Sequence, residues 1–135
     1  MPAELANPHF DAGIVTNDRA GALAFWNGLL GFTVEGEVSF PGLTIVRLKV
    51  GAAILRLCIP DAEVTQKAAT GDFDVETGLR YLTIGVRNLD AVVAEAGAAG
   101  YPVPYPPRET RPGHRTAQIQ DGQGVTVELF ETVQA

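Results

Sequence analysis

The sequence has little cysteine, little positive charge and no long apolar run. Its one cysteine, Cys58, excludes an internal disulfide framework and fits a reducing compartment. Ten lysines and arginines against sixteen aspartates and glutamates give a net charge of −6, which argues against nucleic acid and anionic membranes as partners. No run approaches the roughly 20 apolar residues of a membrane span, and MPAELANPHF has no signal-peptide pattern. These absences predict a cytoplasmic protein.

What the 135 residues do contain is an internal repeat within one domain. Alternating and helical apolar patterns predict a strand, a helix and then strands at 33–40, 43–50 and 53–59 in a first module, about 8–59. A second module, about 79–131, repeats that order after a polar, turn-rich linker at 60–78. The sequence therefore predicts two modules of the same βαβββ type.

Helix ends and one irregular strand can be placed within these modules. Asn17 or Asp18 is the expected cap of the first helix and Gly31 its end, while Asn88 is the expected cap of the second. Residues 102–112 hold five of the nine prolines, so they cannot donate a continuous ladder of hydrogen bonds. We expect a bulged edge strand or a lid there.

The alternation of side chains gives each strand one apolar face and one face with a polar residue. The apolar faces predict burial against the helices for Leu55, Leu57, Val127, Leu129, Ile14, Leu82 and Ile84. Superposing the repeats makes Asp11 equivalent to Tyr81, and Arg56 equivalent to Glu128. Four polar side chains at equivalent inner positions predict a shared ligand-binding cleft.

Further candidates lie near this predicted cleft. His114 and Arg115 follow the proline-rich segment and are candidate anion contacts, although Arg108, Arg111 and Arg115 also fit a solvated basic patch. His9 shares the face of Asp11, and either solvation or an acid–base role fits it. Two aromatic residues fit either stacking on an aromatic ligand or the core, namely Tyr105 and Phe130.

Three segments resemble the vicinal oxygen chelate superfamily, which includes glyoxalase I, bleomycin resistance proteins and extradiol dioxygenases. GIVTNDRAGALAFWNGLLGF is similar to the family's opening strand and helix, TIGVRNLDAVVAEAGAAGYPV to the start of its second module, and DGQGVTVELFE to its DPxGxxxEL ending. The resemblance implies an α+β fold in which two paired βαβββ modules form an eight-stranded open cup. It also implies a homodimer as the default assembly.

Metal-dependent members of the family hold a divalent ion on four side chains, usually His or Glu. By resemblance these positions fall on Asp11, Arg56, Tyr81 and Glu128, and only Glu128 is a common ligand there. Arg56 cannot be a ligand because its guanidinium stays protonated and has no free lone pair. Arg56 and Tyr81 therefore argue against a metal cofactor, and no metal ligand is assigned.

The polar cluster itself admits three interpretations. Asp11, Arg56 and Glu128 can form a purely structural network. Alternatively, Arg56 binds a carboxylate or phosphate of a ligand while Asp11 or Glu128 moves a proton. The third interpretation is residual metal binding.

Two functions follow from these interpretations. The first is a metal-independent protein that binds a small anionic or aromatic molecule, similar to bleomycin resistance proteins. The second is an enzyme of the glyoxalase, epimerase or dioxygenase type, which uses a divalent metal or acid–base chemistry at Glu128 and Asp11. The missing metal ligands favour the first.

Overall fold

The computed structural model describes residues 1–133 and divides into two compact units, Met1–Val64 and a second that begins at Thr65. The first unit contains β1 (Ala12–Val15), α1 (Arg19–Leu23), a π-helical segment (Ala24–Leu29), β2 (Thr33–Phe40), β3 (Leu43–Val50) and β4 (Ala53–Pro60). The second contains a 3₁₀ turn (Phe73–Val75), β5 (Tyr81–Gly85), α2 (Leu89–Ala98), β6 (Tyr105–Arg111), β7 (His114–Gln120) and β8 (Thr126–Thr132).

Both units have the same sheet topology. The strand order is β1-β4-β3-β2 in the first sheet and β5-β8-β7-β6 in the second. The first strand of each module runs parallel to the last, and the remaining pairs are antiparallel. The predicted α+β class with two βαβββ modules is confirmed, because strand alternation and glycine turns are local signals that the chain carries in both halves.

One face of each sheet packs on the helix of its own module. Four of the seven side chains predicted to be buried, Leu55, Leu57, Val127 and Leu129, are at most 3% exposed. The other three, Ile14, Leu82 and Ile84, are only half-buried. They lie on β1 and β5, which are edge strands of their sheets and have a neighbouring strand on one side only.

The first helix differs from the continuous α-helix that the sequence predicts. Asp18 is its cap, since Asp18 Oδ1 accepts a hydrogen bond of 2.9 Å from the Gly21 N–H, but a π-helical segment replaces the α-helix from Ala24. Phe25 and Trp26 are adjacent in sequence and both fully buried, with their rings edge-on at 4.8 Å. The wider π turn brings both rings to the core side, which a 3.6-residue period cannot do equally well.

Asn88 occupies the N-cap position of α2, as predicted. The Asn88 side chain makes no capping hydrogen bond, and the Leu89 N–H donates instead to Glu131 Oε2 on β8, at 3.1 Å. This acceptor is distant in sequence, so a local capping pattern could not indicate it. Within residues 1–133, no helix combines the length and apolar character needed to cross a membrane.

The proline-rich segment forms the edge strand β6, as predicted. Its pairing with β7 shifts register between Tyr105 and Arg108, and again between Glu109 and Arg111. Such bulges re-aim the side chains of the strand that carries them. Here they accompany the placement of Tyr105 and Arg108 over the polar face of the second sheet.

Candidate functional site

Asp11 immediately precedes β1 and is held by three neighbours in the first unit. Its Oδ1 accepts a hydrogen bond of 2.8 Å from the Ile54 N–H at the start of β4. Arg56 Nη1 lies 3.3 Å from its Oδ2, and His9 Nε2 lies 3.6 Å from its Oδ1. The Ile54 N–H, followed by Arg56 and His9, lowers the pKa of Asp11. The structure therefore brings Asp11 and Arg56 together as an ion pair.

The sheet registers support the equivalence of the two modules. Ala12 pairs with Leu55 in the first sheet, and Leu82 pairs with Val127 in the second. These pairings make the residues just before them, Asp11 and Tyr81, equivalent, and they do the same for Arg56 and Glu128, which follow Leu55 and Val127. Tyr81 is 39% exposed, and its ring meets the Phe73 ring edge-on at 5.6 Å.

A pocket of about 430 Å³ opens on the face of β6, β7 and β8 opposite to α2. Three of the candidate residues from the sequence line it, namely Tyr105, His114 and Glu128. The complete lining is Phe73, Tyr105, Arg108, Thr110, His114, Thr116, Gln118 and Glu128. The pocket lies entirely within the second unit, and it combines aromatic rings with cationic, neutral polar and anionic side chains.

The charged groups of the pocket have no ion-pair partners among residues 1–133. Arg108 Cζ lies 5.5 Å from the centre of the Tyr105 ring, a distance typical of a cation–π contact, and its guanidinium meets no described carboxylate within ion-pair range. The half-buried carboxylate of Glu128 likewise faces no described cation at that range. Both charges are available to a ligand.

Stacked rings form the end of the pocket near His114. The imidazole of His114 stacks on the Phe130 ring with centres 5.3 Å apart and planes inclined by 17°. Phe130 in turn lies across Gly85, where a Cβ atom would come within 2.8 Å of the ring. Glycine at position 85 therefore allows the flat packing that supports His114.

Arg115 is not in the pocket. It points to the α2 side of the sheet, where its guanidinium forms two hydrogen bonds to Asp90, of 2.8 and 2.9 Å. Glu131 Oε1 lies 3.8 Å from the same group. The hydrogen bonds from Arg115 lower the pKa of Asp90. A ligand role for Arg115 stays a prediction, and the contacts that the structure shows for it tie α2 to β7.

Sequence reasoning did not assign Phe73, Arg108, Thr110, Thr116 or Gln118 to a binding site, and all five line the pocket. Phe73 lies in the segment interpreted as a linker, where it is the one aromatic residue of 60–78. Arg108 was interpreted only as part of a possible solvated basic patch, and Gln118 was not considered. The alternation of HRTAQIQ places Gln118 on the face of His114 and Thr116, so phasing that strand would have found it.

The side chains at the family's four metal positions do not fit a divalent ion. Arg56 offers no lone pair, and Asp11 is already engaged by the Ile54 N–H and Arg56. Within the part of the chain that the structure describes, no three His, Cys, Asp or Glu side chains are grouped as metal ligands are. Asp11 and Arg56 instead form an ion pair in the first unit, and Glu128 lines a polar pocket in the second.

The chain matches one known protein family and several solved structures. The model of the Glyoxalase/Bleomycin resistance protein/Dioxygenase superfamily matches residues 8–129. A glyoxalase family protein from Bacillus cereus has a TM-score of 0.80 at 16% identity, covering 99% of this chain and 100% of that one. A glyoxalase family protein from Enterococcus faecalis has 25% identity, a TM-score of 0.66 and coverages of 91% and 94%.

A lactoylglutathione lyase from Agrobacterium tumefaciens is a third similar structure. It has a TM-score of 0.62 at 19% identity and covers 94% of this chain and 96% of that one. At such identities the likeness shows the fold alone. No curated protein sequence matches the chain.

Proposed function

The chain belongs to the Glyoxalase/Bleomycin resistance protein/Dioxygenase superfamily, and from this membership we propose that it binds a small anionic aromatic molecule without a metal. The observation that carries the proposal is Arg108, an unpaired guanidinium above the Tyr105 ring at the pocket. Arginine binds carboxylates and phosphates through two parallel N–H donors. Phe73 and Tyr105 supply ring faces for an aromatic group.

Benzoate is the simplest probe of this proposal. We expect saturable shifts of the pocket resonances in an NMR titration of the full chain. Arg108→Gln should weaken benzoate binding about tenfold, a typical loss for a charge-assisted contact. The matched control is Arg87→Gln, which removes an exposed arginine that does not line the pocket. Equal losses in both variants, or no saturable binding, would contradict the proposal.

The proposal that no metal takes part rests on the Arg56–Asp11 ion pair. A fixed guanidinium at one of the family's ligand positions repels a divalent ion. Protein purified without chelator should contain far less than one equivalent of zinc, nickel, manganese or iron by elemental analysis, and benzoate affinity should be unchanged by EDTA. Stoichiometric metal together with catalytic turnover that EDTA abolishes would instead favour the enzyme alternative.

We also propose that the chain is a cytoplasmic homodimer. On the face of the first sheet opposite to α1, one apolar row crosses all four strands, through Val15, Cys58, Ile45 and Val38. Val15 is 61% exposed and Val38 is 45% exposed. An apolar sheet face of this kind is characteristic of an interaction surface.

Sedimentation velocity at micromolar concentration tests the assembly. We expect a dimer for the wild type and dissociation for Val38→Glu. The control is Val75→Glu, which changes an exposed valine of the second unit. A wild-type monomer throughout this range, or the same behaviour of both variants, would contradict the homodimer.

A further inference from the structure

Arg80 is a largely buried arginine immediately before β5. Its side chain is only 14% exposed, and its Nη1 atom lies 3.2 Å from Glu76 Oε1. Its Nε–H group donates a hydrogen bond of 2.7 Å to the backbone carbonyl oxygen of Phe73. A guanidinium that leaves water needs such partners, because an unpaired buried charge destabilises the fold. Arg80 therefore binds the backbone of the 3₁₀ turn whose Phe73 ring lines the pocket.

The residue that follows Arg80 holds the ring of Phe73. The Tyr81 ring meets it edge-on at 5.6 Å, an arrangement that stabilises a pair of aromatic rings. Across residues 71–79, Phe73 is the one residue that is not exposed. Arg80 and Tyr81 are adjacent at the start of β5, so one short piece of backbone anchors both the carbonyl group and the ring of Phe73.

The turn has little else to keep it in place at Phe73. Gln120 Nε2 donates to the carbonyl oxygen of Gly71, two residues earlier, and so holds the start of the segment. The hydrogen bond from the Val75 N–H to the Asp72 carbonyl oxygen is long, at 3.3 Å. A three-residue 3₁₀ turn also has little stability of its own. The position of Phe73 therefore depends on Arg80.

We propose that Arg80 is a positioning residue of the binding pocket, because it holds the Phe73 ring as the wall against which the aromatic part of a ligand packs. Arg80 does not itself line the pocket, so it acts through Phe73 and not by contact with the ligand. This inference rests on the proposed function and deepens it, since it assigns the control of an aromatic contact to a residue outside the pocket.

The position of the Phe73 ring can be measured without a ligand. NOEs between the Phe73 and Tyr81 ring protons should be present in the wild type and in Glu76→Gln, which keeps an oxygen that can accept from Arg80. Arg80→Gln should lose these NOEs. Arg80→Lys should lose them as well, because lysine keeps the positive charge but lacks the fork of donors that binds two partners at once. NOEs that persist in both Arg80 variants would overturn the inference.

Benzoate titrations of the same proteins by NMR test the consequence for binding. Phe73→Ala should weaken benzoate binding about tenfold, and each Arg80 variant about fivefold, while Glu76→Gln binds as the wild type does. The double variant Phe73→Ala/Arg80→Gln should bind no more weakly than Phe73→Ala alone, because Arg80 has no further effect once the ring is absent.

Two results would overturn the inference and leave the proposed function standing. One is wild-type affinity for benzoate in both Arg80 variants. The other is a loss in the double variant that is the product of the single losses, about fiftyfold, since Arg80 would then act independently of Phe73. No saturable binding of benzoate to the wild type would overturn both.

Discussion

Asp11 has a structural role that its position in the sequence does not indicate. It precedes β1, and its carboxylate accepts a hydrogen bond from the N–H of Ile54, at the start of the neighbouring parallel strand β4. Parallel strands are joined by long crossovers, so their relative position is not set by a short turn. The Asp11–Ile54 hydrogen bond fixes the start of β1 against β4. Arg56 supplies a positive charge beside Asp11, and His9 lies 3.6 Å from its carboxylate.

Amide hydrogen exchange at Ile54 can separate this hydrogen bond from the charge of Asp11. Asp11→Ala removes the acceptor, and the Ile54 amide should exchange about tenfold faster. Asp11→Asn keeps an acceptor oxygen at the same place and should retain most of the protection. Arg56→Gln is the control for the ion pair and should leave the Ile54 amide protected. Equal exchange in all three variants would contradict the assigned role.

Residue-scale features were predicted where alternation and the repeat determine them. The equivalence of Asp11 with Tyr81, and of Arg56 with Glu128, follows from counting along matched strands, and the registers agree with it. The pocket members Phe73 and Arg108 reach their positions through a 3₁₀ turn and a bulged strand. Neither has a regular period, so no pattern in the sequence could place their side chains.

Two glycines near the end of the first helical element, Gly28 and Gly31, differ in backbone conformation. Gly28 lies exposed inside the π-helical segment, where an added Cβ would make only an ordinary contact of 3.8 Å with the Leu23 carbonyl oxygen. Gly31 follows that segment with φ +74°, a conformation that costs other residues energy. The same substitution should therefore have opposite effects at these two positions.

Gly28→Ala should raise the free energy of unfolding by about 0.5–1 kcal/mol, because it restricts the unfolded chain without strain in the helix. Gly31→Ala should lower it by about 1 kcal/mol, because alanine pays for the left-handed conformation. Urea denaturation with unchanged m-values measures both effects. A loss of stability in Gly28→Ala would show that the π-helical segment does not tolerate a side chain there.

Element-scale prediction succeeded for strands and failed at details set by distant contacts. Strands β2 and β3 have the predicted bounds, since their alternation is complete within eight residues. The side-chain acceptor at the start of α2 comes from Glu131, and the π-helical segment accompanies the burial of both Phe25 and Trp26. Tertiary packing decides both features, and a single window of sequence does not contain it.

The stability of the whole molecule in acid depends on carboxylates whose pKa values are shifted in opposite directions. Asp11, Glu37 and Asp90 have lowered pKa values, the last two chiefly through hydrogen bonds from Arg19 and Arg115. Each contributes stability that is present above its unfolded pKa, near 4, and is lost as the pH falls through its folded pKa. Burial raises the pKa of Asp121, so its contribution has the opposite sign and is lost as the pH rises through that pKa.

Two aspartate-to-asparagine variants should show these opposite signs in melting curves between pH 3 and pH 7. Asp90→Asn should melt below the wild type at pH 7, because Arg115 loses its charged partner, and the difference should shrink as the pH falls through the lowered pKa of folded Asp90. Asp121→Asn keeps an oxygen that can accept from the Gln123 and Val125 N–H groups and removes a charge that burial disfavours. It should melt at or above the wild type at pH 7 and lose that advantage on acidification. A lower melting temperature for Asp121→Asn at pH 7 would mean that the two N–H donors outweigh burial, and the turn at Asp121 would then require the charged carboxylate.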